Sequence, residues 1–104
     1  MLHKNYIAGE WVEGASAKDN INPSDVSDVV GTYAQADAAQ TLAAIAAAKA
    51  ALPGWSATTP QQRADILEAI GVELLARKDE IGRLLAREEG KPLANGVAET
   101  MRAP

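Results

Sequence analysis

Glu88-Glu89-Gly90-Lys91-Pro92 is the densest cluster of chemically capable residues in the sequence. A glycine followed by a lysine resembles a phosphate loop, where backbone N–H groups and an ammonium cradle an anion. The second glycine and a preceding strand are missing, so that reading is weak. Two adjacent carboxylates raise acid–base chemistry. Helix neighbours point roughly 100° apart, however, so Glu88 and Glu89 do not converge on one substrate atom. With no cysteine and a single histidine, His3, neither a Cys–His pair nor a Ser–His–Asp triad can be assembled. Dinucleotide-type and Walker-type glycine motifs are absent. His3 reads as a solvated residue, and Arg63 as a cation that snorkels or pairs with an acid. We therefore expect no catalytic and no cofactor-binding residue in this chain.

Glu88 is the exception to that blank result. It falls on the same helical face as Ile81, Leu84 and Leu85, close to the helix C-terminus. An acid on an apolar stripe, at the negative end of a helix dipole, needs a partner. One solution is a frayed last turn, or an Arg or Lys pair. The other is a hard cation held by this carboxylate and by backbone carbonyls, which a helix C-terminus leaves unpaired.

The elements that position these residues can be read from spacing. Two amphipathic helices fit 60–77 and 79–89, with a break near Arg77 to Asp79. Thr59 can cap the first, with Pro60 at its first position and Gln62 completing a capping box. Leu67, Ile70 and Leu74 share its face, with Ile66 beside them. Gly90 can stop the second helix and Pro92 can open another over 92–102, where Leu93, Val97 and Met101 recur every four residues. Asn95-Gly96 weakens that last helix internally. Upstream, Asp37 and Gln40 form a capping-box pattern for a helix over 37–52, with Leu42, Ile45 and Ala46 on one face. Pro53-Gly54 should end it, and Trp55 should anchor the junction that follows.

Residues 1–35 read as short strands linked by turns. Tyr6-Ile7 and Trp11-Val12 suit a hairpin turned by Ala8-Gly9-Glu10. Residues 13–18 are small and polar and read as a loop. Asp19 to Asn22 should be extended ahead of Pro23, Pro23-Ser24-Asp25 should turn, and Val29 to Tyr33 should form a strand. The fold class is therefore an α/β fragment: an N-terminal hairpin and short strands, then three to four helices.

Composition limits the partners. The 104 residues allow one domain at most. The hydrophobic share is 47%, but much of it is alanine and there is no phenylalanine, so the core is thin. A net charge of −4 argues against nucleic acid or anionic membrane. No segment reads as a membrane span or signal peptide, and a cytoplasmic protein is the default. The helical stripes outnumber their partners within the chain. We expect a piece of something larger, or a chain that buries these faces against another; a small helical interaction module is the alternative.

Taken in order, Asn5-Tyr6-Ile7-Ala8-Gly9-Glu10-Trp11-Val12, Asn22-Pro23-Ser24, the alanine-rich helix with Trp55, and Glu88-Glu89-Gly90-Lys91-Pro92 resemble the N-terminal region of the aldehyde dehydrogenase superfamily. The resemblance runs from Asn5 to Arg102. The stretch from Asn22 to Gln40 is similar to bacterial members that oxidise α-ketoglutaric semialdehyde. The resemblance implies the lead-in part of a Rossmann-like NAD(P)-binding domain, within a longer, homo-oligomeric parent that oxidises an aldehyde to a carboxylate through a cysteine thioester. The nucleophile, the activating glutamate and the NAD or NADP site of that family match no residue here. It also implies a structural sodium ion, whose ligands correspond to the Ile21 carbonyl and the Glu88 carboxylate. A glutamate stands where other members often have aspartate.

Overall fold

A computed structural model describes all 104 residues, which divide into two compact units. The first comprises Met1–Asn20 and Gly31–Thr58; the second comprises Ile21–Val30 and Thr59–Pro104.

The first unit opens with β1 (Leu2–His3), followed by the hairpin of β2 (Asn5–Ile7) and β3 (Glu10–Val12). The hairpin register pairs Asn5 with Val12, Tyr6 with Trp11 and Ile7 with Glu10. Only Ala8 and Gly9 make the turn, at φ 54° and 86°. Two consecutive positive φ values match the twist of a two-residue hairpin loop. Glu10, expected in the turn, is thus a strand residue. The Tyr6 and Trp11 rings meet at a tilt of 50° across the pair, with centroids 4.8 Å apart.

A three-stranded sheet has the order β1-β5-β4, with β4 spanning Ser16–Ile21 and β5 Val29–Gln35. β1 runs parallel to β5, setting Leu2 against Thr32 and His3 against Tyr33. The loop expected over 13–18 is therefore cut short, because strand begins at Ser16. β4 lies at the sheet's edge and is exposed along most of its length. Such a strand needs no alternating apolar residues, so its small polar sequence looks like loop. His3 is exposed as expected, but its ring also stacks on Tyr33 at 4.7 Å.

α1 spans Ala38–Ser56, capped by the Asp37 side chain, which accepts from the Gln40 amide at 2.7 Å. The reciprocal half of the expected capping box does not form. Gln40 instead donates to the Glu13 carbonyl at 2.7 Å and accepts from Asn5 at 2.8 Å, tying strand ends to the helix. The helix also runs through Pro53-Gly54 rather than ending there. Proline removes one backbone donor, but its own carbonyl still accepts from Ala57 at 3.2 Å. Trp55 is consequently a helical residue, 43% exposed, and not a buried anchor.

In the second unit α2 (Pro60–Ala76) carries the full capping box of Thr59 and Gln62. α3 spans Lys78–Glu89 and α4 spans Leu93–Thr100. Arg77 separates α2 from α3 and pairs with Glu80 through two hydrogen bonds, at 2.9 and 2.6 Å. α4 is shorter than the expected 92–102: Pro92 takes the cap position and Met101 ends it. The core here is built from small residues. Gly82 and Ala86 of α3 and Gly96 and Thr100 of α4 are the buried ones. A Cβ at Gly82 would lie 2.7 Å from the Val97 Cα, and one at Gly96 would strike the Gly82 carbonyl oxygen. The seam of α3 therefore runs through Gly82 and Ala86, beside the half-buried Ile81 and Leu85, whereas Leu84, expected on the same face, is 41% exposed. No residue of α2 is buried, and no helix of the chain is long and apolar enough to cross a membrane.

Candidate functional site

The chemically capable residues of the second unit gather where α3 ends. Gly90 adopts the left-handed conformation, φ 69°, which glycine reaches without the Cβ penalty. Its amide and that of Lys91 both donate to the Ala86 carbonyl, closing the last turn. The Gly90 carbonyl accepts from the Ser24 hydroxyl at 2.8 Å. A side chain at Gly90 would meet Ser24 Oγ at 2.7 Å and Pro23 Cγ at 2.8 Å, so two requirements fix glycine here.

Ser24 belongs to a tight turn from Asn22 to Asp28. The Asn22 amide donates to the Asp28 carbonyl at 3.0 Å, and the Asn22 side chain accepts from the Ser24 amide at 2.9 Å. The Asn22 side chain also donates to Asp28 Oδ2 at 3.1 Å. Arg87 then grips the same carboxylate with both ends of its fork, Nε to Oδ2 at 2.9 Å and Nη2 to Oδ1 at 2.6 Å. This bidentate geometry is the strong form of an ion pair. The Arg87 hydrogen bond, helped by Asn22, holds the Asp28 carboxyl at about 2. Lys91 donates to Glu89 and Glu99, each at 2.6 Å, and these two partners raise its pKa in that order. The turn is thereby latched to the end of α3 at two points, Ser24–Gly90 and Asp28–Arg87.

Sequence reasoning named Glu88 and Ile21 in this region. Glu88 is half-buried in the last turn of α3, directly after Arg87; Ile21 ends β4, directly before Asn22. Their immediate neighbours, Arg87 and Asn22, are joined through Asp28. No three His, Cys, Asp or Glu side chains gather to hold a metal ion. The latch residues Asp28, Arg87 and Ser24 were missed. Asp28 and Arg87 are 59 positions apart, and no local pattern links them. The only available signal was the turn reading at Pro23-Ser24-Asp25.

Chemically, the arrangement holds a turn against a helix end; the chain has no cysteine, and the second unit has no histidine. The chain is similar to known proteins over nearly its whole length. The family model described as "Aldehyde dehydrogenase family" matches residues 11–104. The chain is 38% identical over 102 residues to an alpha-ketoglutarate semialdehyde dehydrogenase of Haloferax volcanii, covering 96% of this chain and 21% of that one. It is 39% identical over 99 residues to an N-succinylglutamate 5-semialdehyde dehydrogenase of Pseudomonas fluorescens, covering 94% and 20%. Among solved structures, an Escherichia coli NADP dependent enzyme matches with a TM-score of 0.90 at 37% identity, over 95% of this chain and 21% of that one. A betaine aldehyde dehydrogenase from Staphylococcus aureus, in complex with NAD+, matches with a TM-score of 0.88 at 30% identity, over 94% and 20%. The chain therefore spans about one fifth of the length of the relatives it matches.

Proposed function

Because the chain belongs to the aldehyde dehydrogenase family, we propose that it is the N-terminal segment of an NAD(P)-dependent aldehyde dehydrogenase and is catalytically silent by itself. The observation that carries this is the family match over 11–104 in a chain that holds no cysteine. The parent reaction, oxidation of an aldehyde to a carboxylate through a cysteine thioester, then depends on residues outside this segment. So do the NAD or NADP site and the homo-oligomer contacts. Residues 1–104 would serve as the lead-in part of the cofactor-binding domain in a cytoplasmic enzyme. Similarity to semialdehyde dehydrogenases favours a semialdehyde substrate for the parent. Sequencing the coding region beyond Pro104 tests the assignment. A continuation with a cysteine nucleophile is expected; a stop codon directly after Pro104 would remove the parent.

The exposed apolar faces of α1 and α2 favour one other reading, a helical interaction module or a truncated remnant that binds full-length subunits. A cooperative melt from a monomeric chain would support the module. Co-purification with a full-length family member would support the remnant.

Within the first reading, Glu88 and the Ile21 carbonyl are the ligands this segment offers to a structural sodium ion. Support comes from the half-buried carboxylate at the negative end of α3 and from the latch that ties the neighbouring residues together. In the full-length parent, Glu88→Gln should lower the melting temperature and flatten its rise with sodium. Equal melting temperatures at every sodium concentration, with and without the substitution, would eliminate the site.

A further inference from the structure

A cavity of about 250 Å³ opens beside the latch, wholly within the second unit. Its wall carries three cations, Arg83, Arg87 and Lys91, and no carboxylate. They recur at intervals of four residues, which stacks them along one side of α3 and its end. Ala86 and Leu93 add an apolar surface between them. The counter-charges Asp28, Glu89 and Glu99 are not part of this wall.

The donors on that wall outnumber their acceptors. Arg87 is committed to Asp28. Lys91 uses two of its three N–H groups, on Glu89 and Glu99. Asn22 uses one of two amide N–H groups, on Asp28. Arg83 directly follows the buried Gly82, yet no carboxylate lies within 4.0 Å of its guanidinium and it has no hydrogen-bond partner. A planar guanidinium and a spare ammonium N–H thus face one cavity from positions two turns apart on the chain. An apolar patch lies between them. The C-terminal dipole of α3 opposes an anion here, and Arg83, the one cation of the wall without a carboxylate partner, offsets it.

We propose that this cavity is a binding site for a small dicarboxylate. One carboxylate takes the fork of Arg83, the other takes the remaining N–H of Lys91, and the intervening carbons lie on Ala86 and Leu93. The volume admits a diacid of a few carbons and is too small for a dinucleotide. The inference is independent of the sodium ligands and of the parent's activity, because it uses neither Glu88 nor any reacting group.

Calorimetric titration of the 104-residue chain at constant ionic strength tests it, with succinate, acetate and inorganic phosphate as probes. Saturable one-to-one binding of succinate is expected, about tenfold tighter than acetate, since each end contributes a charge-assisted hydrogen bond. Arg83→Gln should weaken succinate about tenfold, whereas Arg102→Gln, at a guanidinium outside the cavity, should leave it unchanged. Arg83 is exposed, so its replacement should fold; a matching circular-dichroism melt establishes that. As a second variant, Leu93→Glu places a carboxylate on the wall and should abolish binding. The proposal is overturned if succinate gives no saturable signal, if acetate or phosphate binds as tightly, or if Arg83→Gln binds like the parent chain.

Discussion

Asp28 is the residue on which the end of α3 depends. Arg87 grips both its oxygens and Asn22 adds a third bond, which keeps the carboxyl ionised down to about 2. A carboxylate whose folded pKa is depressed stabilises the fold above its unfolded pKa, near 3.8, and loses that contribution as pH falls toward the folded value. The melting temperature should therefore fall between about pH 4 and pH 2, and Asp28→Asn should be lower at neutral pH but flatter across that window. Thermal melts by circular dichroism at successive pH values check this; parallel curves for both proteins would contradict the latch. At this scale the sequence was legible only where chemistry is local. Gly90 declared itself as a helix stop, because a left-handed cap selects glycine. Glu88 stood out as an acid on an apolar stripe, and it lies one residue from the latch residue Arg87. Asp28 and Arg87 did not declare themselves, because each alone looks like an ordinary solvated charge.

At the scale of elements, the pairing of α3 with α4 depends on what its glycines lack. Gly96 costs helix propensity of about 1 kcal/mol against alanine, which made the last helix look weak in sequence. The structure supplies the reason for it: a Cβ there would collide with the Gly82 carbonyl. Overpacking of this kind costs about 1–3 kcal/mol or more, so it should outweigh the propensity gain. Gly96→Ala should lower the urea midpoint of the second unit. A raised midpoint would mean that propensity wins and that the helices separate easily. Capping and turn chemistry were the most legible features, as Thr59-Pro60 and Ala8-Gly9 show. Two elements escaped for opposite reasons. β4 is an edge strand without an apolar rhythm, and α1 tolerates Pro53 because one missing donor does not break a helix of 19 residues. The apolar stripe of α3 was visible, but the seam through Gly82 and Ala86 was not, since small residues carry almost no periodic signal.

At the scale of the whole molecule, the chain leaves most of its apolar surface in water. Only Ala34 and Ala86 are buried hydrophobic residues, while Leu42, Ile45, Ile66, Leu67 and Ile70 remain exposed. Contiguous apolar faces of this kind promote association. The isolated chain should sediment as a concentration-dependent mixture, and added Leu67→Lys should shift it toward monomer. A monomer at every concentration would favour the interaction module. The thin core was legible from composition, because alanine supplies helix without area. The central claim is that this chain is an aldehyde dehydrogenase segment without chemistry of its own. Its most direct test incubates the purified, mass-verified 104-residue chain with NAD+ or NADP+ and a panel of semialdehydes, following formation of the reduced nicotinamide. We predict no signal above the protein-free control at any enzyme concentration. Turnover proportional to the amount of chain would contradict the account.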